Sequence, residues 1–475
     1  MSSFVHREFQ HEICEITDPR ELDDDGRPKR TGTVWTATAH IITAVIGSGV
    51  LSLPWAMAQL GWIPGIFTLL SFSFVTLYTS CFLADSYRTP DPITGRRNHT
   101  YMEAVKSNLG GKMYKICGLV QYTYMGGLAV GYTITAAIST VALLKSNCFH
   151  KNGFGAAGCN YTAMTYIIVV GFVEIVLSQI PNLSTMSWLS VIAAVMSFGY
   201  ALIGIGLSFA KITSGKGERT TLTGVEVGMG LSQADKVWSM LRATGDIAFA
   251  CSFASVLIEI QDTLKSWPPE SKVMKKANKI AILTSTGFYI MSGCLGYAAL
   301  GNGAPGNLLT EFGFTEPFWL IDLANIFVMV HLLGAYQVLS QPVLNAVEAW
   351  ATKKFPKSSF VAENYPFKIF RKKISVNFFS LIWRIIYVVI VTVVAMALPF
   401  FNDILALLGA IGYWPMAVYF PVEMHIAQKK IEKKSMRWWC LQSMNVVCLV
   451  VAIGAACGAI EGLTHSLRTS NFFEL

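Results

Sequence analysis

The residues best suited to hold a small charged ligand lie in the middle of an apolar segment. The stretch HIITAVIGSGVLSLPWAMAQLGW, at residues 40–62, is long enough to cross a bilayer, yet it carries Gly47, Ser48 and Gly49 near its centre. Glycine is a poor helix former, so this position favours a break in the helix. A break leaves free N–H groups, which attract anions, and free C=O groups, which attract cations. An α-amino acid carries one charge of each sign.

A second weak segment lies five predicted spans further along the chain. TGDIAFACSFASVLIEIQDT has the small and polar residues Ala250, Cys251, Ser252 and Ala254 at its centre. Two interrupted segments at corresponding positions of two halves, crossing the membrane in opposed directions, are typical of a secondary transporter's substrate site. For the Gly-Ser-Gly motif alone, close helix packing is an alternative. A phosphate-binding loop is excluded, because no strand precedes the glycines and no lysine follows them.

We expect the substrate to bind at the two breaks. The N–H groups of residues 47–49 should face its carboxylate, and carbonyl groups of Val45, Ile46 and Phe249 its ammonium group. Aromatic residues near the breaks are candidates for contacting the substrate side chain, although most aromatics of membrane proteins pack or anchor. In the eighth predicted span, Asn325 shares a helix face with Asp322. The predicted substrate-binding residues are Val45, Ile46, Gly47, Ser48, Gly49, Tyr124, Phe249, Ala250, Cys251, Ser252, Phe253, Asn325 and Trp414.

Three titratable residues are candidates for proton coupling. His40 lies two helical turns before Gly47, and His331 lies in the middle of the eighth predicted span. Histidine titrates near physiological pH, but a neutral histidine bonded to a carbonyl group is the alternative. Asp246 precedes the second break by one turn and could instead cap a helix. Glu259 and Asp262 are interpreted as gate or loop ion-pair residues.

The composition predicts an all-α polytopic membrane protein. The 475 residues are 53% hydrophobic and 14% charged, with a mean hydropathy of +0.47, whereas soluble domains are about 25% charged. Apolar runs of about twenty residues separate the charged clusters, which argues against a β-barrel and against nucleic-acid binding despite the net charge of +8. The eleven predicted spans are residues 33–58, 60–86, 113–145, 163–183, 186–211, 236–262, 274–302, 316–350, 377–400, 402–427 and 437–464.

The distribution of Lys and Arg predicts the orientation. Most of these residues fall in alternate loops on the side of the N-terminus, which places the N-terminus in the cytosol and, with an odd number of spans, the C-terminus outside. Residues 1–32 are polar and acid-rich without a signal-peptide core, so we interpret them as a disordered cytosolic tail. Residues 465–475 should form an extracellular tail.

An outer loop contains two cysteines. Cys148 and Cys159 lie between the third and fourth predicted spans, in KSNCFHKNGFGAAGCNYT. The outside of a cell is oxidising, so we predict a disulfide bond between them.

The sequence resembles the plant amino acid permeases of the amino acid/auxin permease family, in the amino acid–polyamine–organocation superfamily. The resemblance runs from about residue 22 to 465 and is carried by KRTGTVWTATAHIITAVIGSGVLSLPWAMAQLGW, GDIAFACSFASVLIEIQDT, GNLLTEFGF and LPFFNDILALLGAIGYWPMAVYFPVEMHIAQKKI. It implies the leucine-transporter fold, with five-span inverted repeats at 33–211 and 236–427, broken first and sixth helices, and an eleventh helix at 437–464. It also implies proton-coupled uptake at a plant plasma membrane. Glu174 departs from this pattern, since an uncharged or amide residue is expected there.

These observations predict a proton-coupled symporter that imports neutral amino acids, and acidic or basic ones too if the site admits them, by alternating access. An auxin or related aromatic-acid carrier and a non-transporting amino acid sensor are the alternatives. The sequence shows neither clustered metal ligands nor a nucleophile with its base, so we do not expect an enzyme. We expect H⁺ as the coupling ion and no cofactor. The expected partners are the amino acid and the lipid bilayer, without nucleic acid, for a protein that functions as a monomer.

Overall fold

The computed structural model describes residues 29–153, 156, 158–179, 187–228, 231–310, 316–363, 365–369 and 372–469. Side chains are left out at 187–191, 365–369, 372–376 and 469. The predicted N-terminal tail therefore falls almost wholly outside the described residues, as do residues 470–475 of the predicted C-terminal tail.

Helices account for most of the chain, and each predicted span coincides with one helix or with consecutive helices. In the first half the helices are α1 (Val34–Val45), α2 (Gly49–Leu60), α3 (Trp62–Asp85), α4 (Tyr101–Leu109), α5 (Gly111–Asn152), α6 (Ala163–Ser178) and α7 (Ser187–Thr213). An antiparallel pair of two-residue strands, β1 (Arg88–Thr89) and β2 (Arg96–Arg97), lies between α3 and α4.

The second half continues in the same way. Its helices are α8 (Gln233–Ala250), α9 (Ala254–Gln261), α10 (Glu270–Leu300), α11 (Phe318–Lys354), α12 (Ser359–Ala362), α13 (Phe378–Ala397), α14 (Phe401–Gly412), α15 (Phe420–Gln428) and α16 (Met436–Thr469). A short 3₁₀ turn (Gly301–Gly303) follows α10, an antiparallel hairpin of β3 (Tyr365–Ile369) and β4 (Lys372–Val376) follows α12, and a π-helical stretch (Tyr413–Tyr419) joins α14 to α15.

Local side chains set several helix starts. The hydroxyl of Thr33 accepts a hydrogen bond from the N–H of Thr36 at the start of α1, and the Ser232 hydroxyl accepts one from the N–H of Asp235 at the start of α8. Because α8 begins at Gln233, Asp246 lies four residues before the end of this helix and does not cap it.

The described residues contain nine or ten candidate membrane spans. Nine helical segments among them are long and apolar enough to cross a membrane, and the bent pair α1–α2 makes a tenth. The fourth predicted span contains α6, which has only 16 residues, and residues 180–186 after it lie outside the described part. The all-α membrane architecture is therefore confirmed, whereas the count of eleven is not.

Both predicted helix breaks are present. The axes of α1 and α2 differ by 55° across Ile46, Gly47 and Ser48. Residues Cys251, Ser252 and Phe253 separate α8 from α9. Glycine and other short side chains at these positions let the chain leave the helical conformation, and the breaks are buried inside the protein, where irregular backbone is tolerated.

The helices form two groups that enclose the breaks. Helices α1, α2, α3, α8, α9 and α10 pack against one another and form a group that we call the bundle. Helices α5 and α7 both pack against α11 and, with α6 and α13, form a second group that we call the scaffold. We call the end of the molecule that carries Arg30 and Glu270 the tail-side face, and the end that carries the Cys148–Cys159 disulfide the disulfide-side face. That predicted disulfide is present in the structure.

Candidate functional site

A central cavity of about 220 Å³ lies between the bundle and the scaffold. Both breaks line it, through residues that include Gly47, Ser48 and Ser252. The scaffold contributes residues of α5 and α11, including Tyr124 and His331. The cavity extends from the breaks along α1 and α9 toward the tail-side face, and α2 and α8 line it only with the residues next to their breaks. Among the described residues, the cavity therefore has no opening toward the disulfide-side face.

The first break leaves unpaired main-chain donors. The N–H of Gly47 bonds to the carbonyl oxygen of Val45 (2.9 Å), and the regular pattern resumes when the N–H groups of Val50 and Leu51 bond to the carbonyl oxygens of Gly47 and Ser48. The N–H groups of Ser48 and Gly49 donate to no backbone carbonyl among the described residues. The Ser48 hydroxyl is also buried without a partner there. Three donors without partners thus lie at the N-terminus of α2, where the helix dipole stabilises an anion.

The two glycines of this break have different environments. A Cβ atom on Gly47 would meet only Nε2 of His331, at 3.9 Å across the cavity. A Cβ atom on Gly49 would lie 3.0 Å from Cα of Ala250 and 3.1 Å from Cδ1 of Phe249. Gly47 therefore leaves open space at the cavity wall, while Gly49 permits close packing of α2 on α8. The helix-break interpretation of the Gly-Ser-Gly motif therefore applies to Gly47, and the close-packing interpretation applies to Gly49.

Tyr289 of α10 joins the two breaks. Its hydroxyl oxygen lies 2.6 Å from the carbonyl oxygen of Val45, at the end of α1, and 2.6 Å from that of Ala250, at the end of α8. A hydroxyl group carries one hydrogen, so it donates to one of these oxygens at a time. The other carbonyl remains able to accept a hydrogen bond from a ligand.

Aromatic and apolar side chains form the rest of the cavity wall. The predicted residues Tyr124, Phe249 and Phe253 all line the cavity, as do Tyr132 and Leu128 of α5. Tyr124 is packed closely against Gly412, where a Cβ atom would overlap its ring. The wall thus suits an uncharged side chain of a ligand.

The two predicted histidines both line the cavity. His40 lies on α1 toward the tail-side face and is exposed. His331 is buried, and its Nδ1 lies 2.8 Å from the carbonyl oxygen of Ala193. Since a carbonyl oxygen can only accept, Nδ1 carries the hydrogen in neutral His331. Nε2, on the side of Gly47, is then left as the atom that can take up a proton.

Five predicted site residues lie outside the cavity lining. Asn325 donates to the carbonyl oxygens of Leu309 (3.1 Å) and Ile321 (3.0 Å). Trp414 donates to Oδ1 of Asn445 (2.8 Å), on α16.

The remaining three of these lie close to the breaks. Ile46 is fully buried. Cys251 Sγ lies 3.9 Å from the Ser73 hydroxyl on α3, away from the cavity. Asp246 is completely buried, and both of its carboxyl oxygens lack a hydrogen-bond partner among the described residues.

Glu174, the residue that departs from the resemblance, is buried in the scaffold. Its carboxyl group accepts a hydrogen bond of 2.5 Å from the side-chain amide of Gln337. It therefore has a polar partner between α6 and α11 and is not part of the cavity lining.

Two tyrosines, one that contacts both breaks and one that lines the cavity, escaped the sequence analysis. Tyr289 and Tyr132 lie in apolar segments that contain several aromatic residues, and nothing in their spacing distinguishes them from packing residues. The presence of a tyrosine in the middle of the seventh predicted span was the available signal, because a buried hydroxyl needs a hydrogen-bond partner.

A buried polar network ties the bundle together at the tail-side face. Arg30, before α1, donates to the Tyr87 hydroxyl (3.0 Å) and to Glu270 (2.9 Å), and Arg88 donates to Glu270 (2.8 Å). Tyr87 in turn donates to Asp262, at the end of α9 (2.6 Å). Burial, and next the Asp262 carboxylate, raise the pKa of the Tyr87 hydroxyl, which remains a donor. The ends of all four bundle spans therefore meet in one network.

Comparison with known proteins agrees with this geometry. Residues 30–464 match the sequence profile of the transmembrane amino acid transporter protein family. Amino acid permease 1 of Arabidopsis thaliana is 54% identical over 99% of this chain and 98% of its own length, and amino acid permease 6 of the same plant is 54% identical over 100% and 98%. The chain belongs to the amino acid/auxin permease family.

The fold of this permease is that of the leucine transporter. The crystal structure of MhsT in complex with L-phenylalanine superimposes on 91% of this chain and 100% of that one, with a TM-score of 0.51 and 12% sequence identity. The predicted leucine-transporter fold is therefore confirmed, including the broken first and sixth helices, whereas the predicted count of eleven spans is not. Because its relatives are amino acid permeases, the chain is a multi-pass membrane transporter for amino acids and not an enzyme.

Proposed function

We propose that this permease is a proton-coupled symporter that imports amino acids with uncharged side chains across the plasma membrane by alternating access. The observation that carries the proposal is the set of unpaired donors at Ser48 and Gly49, placed opposite the carbonyl oxygens beside Tyr289. The two sets of groups match the two charges that every α-amino acid carries.

The substrate's charged groups bind at the breaks. Its carboxylate accepts hydrogen bonds from the N–H groups of Ser48 and Gly49, helped by the dipole of α2. Its ammonium group donates to the carbonyl oxygen of Ala250, whose hydrogen-bonding capacity Tyr289 does not exhaust. An auxin-like aromatic acid would use the first set of groups but leave the second without a partner, which favours an amino acid.

The cavity wall supports uncharged side chains. Among the described residues that line the cavity, none is Asp, Glu, Lys or Arg. The basic residues in this lining are His40 and His331. A lysine or arginine side chain would lack a counter-ion there, and burying an unpaired charge is costly.

H⁺ is the coupling ion, and no cofactor takes part. His331 supports this part of the proposal, because its Nε2 lies at the substrate site while its other nitrogen is fixed by Ala193. His40 lies on the route from the site to the tail-side face. The tail-side face is cytosolic, as the distribution of Lys and Arg predicts. The permease functions as a monomer.

The bundle moves as one body against the scaffold. The network around Glu270 joins the ends of its four spans, while the cavity separates it from α5 and α11. A rigid bundle next to a cavity suits transport by rocking.

The test is uptake of labelled neutral amino acids by a transport-deficient cell expressing the permease, at external pH values of about 5 and about 7.5. We expect uptake with inward current, greater at the lower pH and independent of Na⁺, and no uptake of an aromatic acid without an amino group. Binding without accumulation would identify a sensor instead. Uptake that needs Na⁺ and ignores pH would overturn proton coupling.

A further inference from the structure

An ion pair lies between the cavity and the disulfide-side face. Nη1 of Arg242, on α8, lies 2.7 Å from Oδ1 of Asp403, on α14. The Arg242 guanidinium also lies 4.9 Å from the centre of the Trp55 ring of α2, within cation–π distance. The pair therefore connects α2, α8 and α14 on the disulfide side of the two breaks.

Helix α16 fits closely over this pair. A Cβ atom on Gly462 would lie 2.5 Å from both Arg242 Nη1 and Asp403 Oδ1. The Ser466 hydroxyl lies 3.1 Å from the other carboxylate oxygen of Asp403. Asp403 therefore has partners for both oxygens, and the pair has little free space around it.

Asp246 is a second carboxyl group within reach of the same arginine. It lies four residues after Arg242 on α8, so the two side chains share one helix face, with Cβ atoms about 6 Å apart. It is completely buried, and neither carboxyl oxygen has a hydrogen-bond partner among the described residues. An ionised carboxylate is not stable in such a place without a partner, so Asp246 is neutral in this closed arrangement.

We infer that the proton on Asp246 decides which carboxylate Arg242 binds, and thereby whether the disulfide-side face is closed or open. With Asp246 neutral, Arg242 stays on Asp403 and the face is closed. When Asp246 loses its proton to water, it attracts Arg242 along α8, the bond to Asp403 breaks, and α14 and α16 are released from α2 and α8.

This switch gives the order of events that a symporter needs. The outward-open state has ionised Asp246 paired with Arg242, and a proton from outside must neutralise Asp246 before Arg242 can return to Asp403 and close the face over the substrate. The inference rests on the proposed proton coupling, because it gives protonation a second site besides His331 and assigns that site an effect on the disulfide-side face.

Other charges near α8 do not supply an alternative partner at the same depth. The charged and titratable side chains on the helices packed against α8 at this end are Asp403 of α14 and Glu461, His465 and Arg468 of α16, and α8 itself carries Asp235 and Lys236 near its start. Helix α2 has no charged residue, and the charged residue of α3, Asp85, binds Lys275 at the tail-side end. Arg242 attracts the ionised form of Asp246, and Asp403 repels it.

The test uses a cysteine behind the ion pair. Ser52 is fully buried on α2, between Ser48 at the cavity and Trp55 at the pair, so Ser52→Cys is a conservative reporter of opening. Cells expressing the reporter are treated from outside with a membrane-impermeant thiol reagent at one fixed pH. The permease without Ser52→Cys shows the background from native cysteines, and Asp235→Asn, on the exposed start of α8, is the matched control.

In the reporter background, Asp246→Asn should slow labelling about tenfold, since it removes the open-state partner of Arg242 and shifts the two-state equilibrium. Asp403→Asn should speed labelling, since Arg242 then has only Asp246. In uptake assays without the reporter, Asp246→Asn should also weaken the dependence on external pH. Surface biotinylation verifies that each variant reaches the membrane. If Asp246→Asn does not reach it, the labelling rate of the Asp403→Asn variant tests the inference instead.

Unchanged labelling in Asp246→Asn, or slower labelling in Asp403→Asn, would overturn the inference. If the parent permease takes up substrate with a clear pH dependence and Asp246→Asn keeps it, the proposed function stands and this inference fails. If uptake by the parent does not respond to pH at all, the proposed proton coupling itself fails.

Discussion

The hydroxyl group of Tyr289 lies 2.6 Å from the carbonyl oxygen of Val45, the last residue of α1. The same hydroxyl contacts the corresponding residue of the other broken span, Ala250, at the end of α8. One side chain from α10 thus contacts the ends of both interrupted helices and fixes their relative position, although they are far apart in the chain. The relative position of the two breaks at the proposed substrate site depends on this contact.

Tyr289→Phe is expected to impair transport while the protein still reaches the membrane. Removing the hydroxyl leaves two buried carbonyl oxygens with one partner fewer, at a cost of about 1–3 kcal/mol at the site. Uptake and thermal stability in detergent are the measurements. Tyr200→Phe is the control, because the buried Tyr200 hydroxyl has no partner among the described residues. Equal effects of the two changes would contradict a specific role for Tyr289.

The two glycines of the first break should respond differently to alanine. Gly47→Ala places a methyl group at the cavity wall, so the Michaelis constant for uptake should rise while stability is kept. Gly49→Ala forces α2 away from Ala250, and overpacking of this kind costs about 1–3 kcal/mol, so stability and surface expression should fall. Gly47→Val should abolish uptake at normal surface expression. Normal transport by Gly47→Val would exclude the break as the binding element.

His331→Asn should weaken the pH dependence of uptake, and it should disturb the local structure less than His331→Gln. An asparagine amide can replace Nδ1 and keep the hydrogen bond to Ala193, but it has no titratable nitrogen at the cavity. Uptake by His331→Asn, measured against external pH, should therefore vary less with pH than uptake by the parent. A pH profile equal to that of the parent would show that His331 takes no part in proton coupling.

Substitution of Glu270 should lower the stability of the protein far more than substitution of a carboxylate in an exposed ion pair. Glu270→Gln leaves the buried side chains of Arg30 and Arg88 without their carboxylate, and breaking a buried pair costs about 3–5 kcal/mol. Glu218→Gln, which disrupts the exposed pair with Lys211, should cost at most about 1 kcal/mol. Thermal unfolding of both variants in detergent compares them. Similar melting temperatures would contradict the role of the network in holding the bundle together.

The disulfide tests both stability and orientation. Cys148 and Cys159 close a loop with a sequence separation of 11, so replacing both with serine should cost about 3 kcal/mol by the chain-entropy estimate. On intact cells, an impermeant thiol reagent should label this pair only after an impermeant reductant has been added, as judged against the double serine variant. Labelling that requires permeabilised cells would reverse the proposed orientation.

The sequence predicted the elements of the site better than the roles of individual residues. Gly47, Ser48 and Ser252 were predicted together and do line the central cavity, because two apolar spans with small and polar residues at their centres are typical of a transporter's binding site. Trp414 and Asn325 could not be placed correctly relative to the cavity from their types alone. The direction of a side chain depends on helix rotation, and apolar residues on all sides of a membrane span leave that rotation undefined. In the structure, Trp414 bonds to Asn445 and Asn325 to main-chain carbonyl groups.

By itself, the sequence determined that this is a helical membrane protein, where most of its long apolar helices lie and that the first and sixth predicted spans break, since hydropathy and helix propensity act over short stretches of chain. Only the tertiary structure decided which groups meet across the chain. It placed Tyr289 between the two breaks, gave Gly47 and Gly49 separate roles, and brought Asp403 to Arg242 one turn from the buried Asp246. These relationships are contacts between distant segments, set by how helices pack and rotate against one another, and no local pattern specifies them.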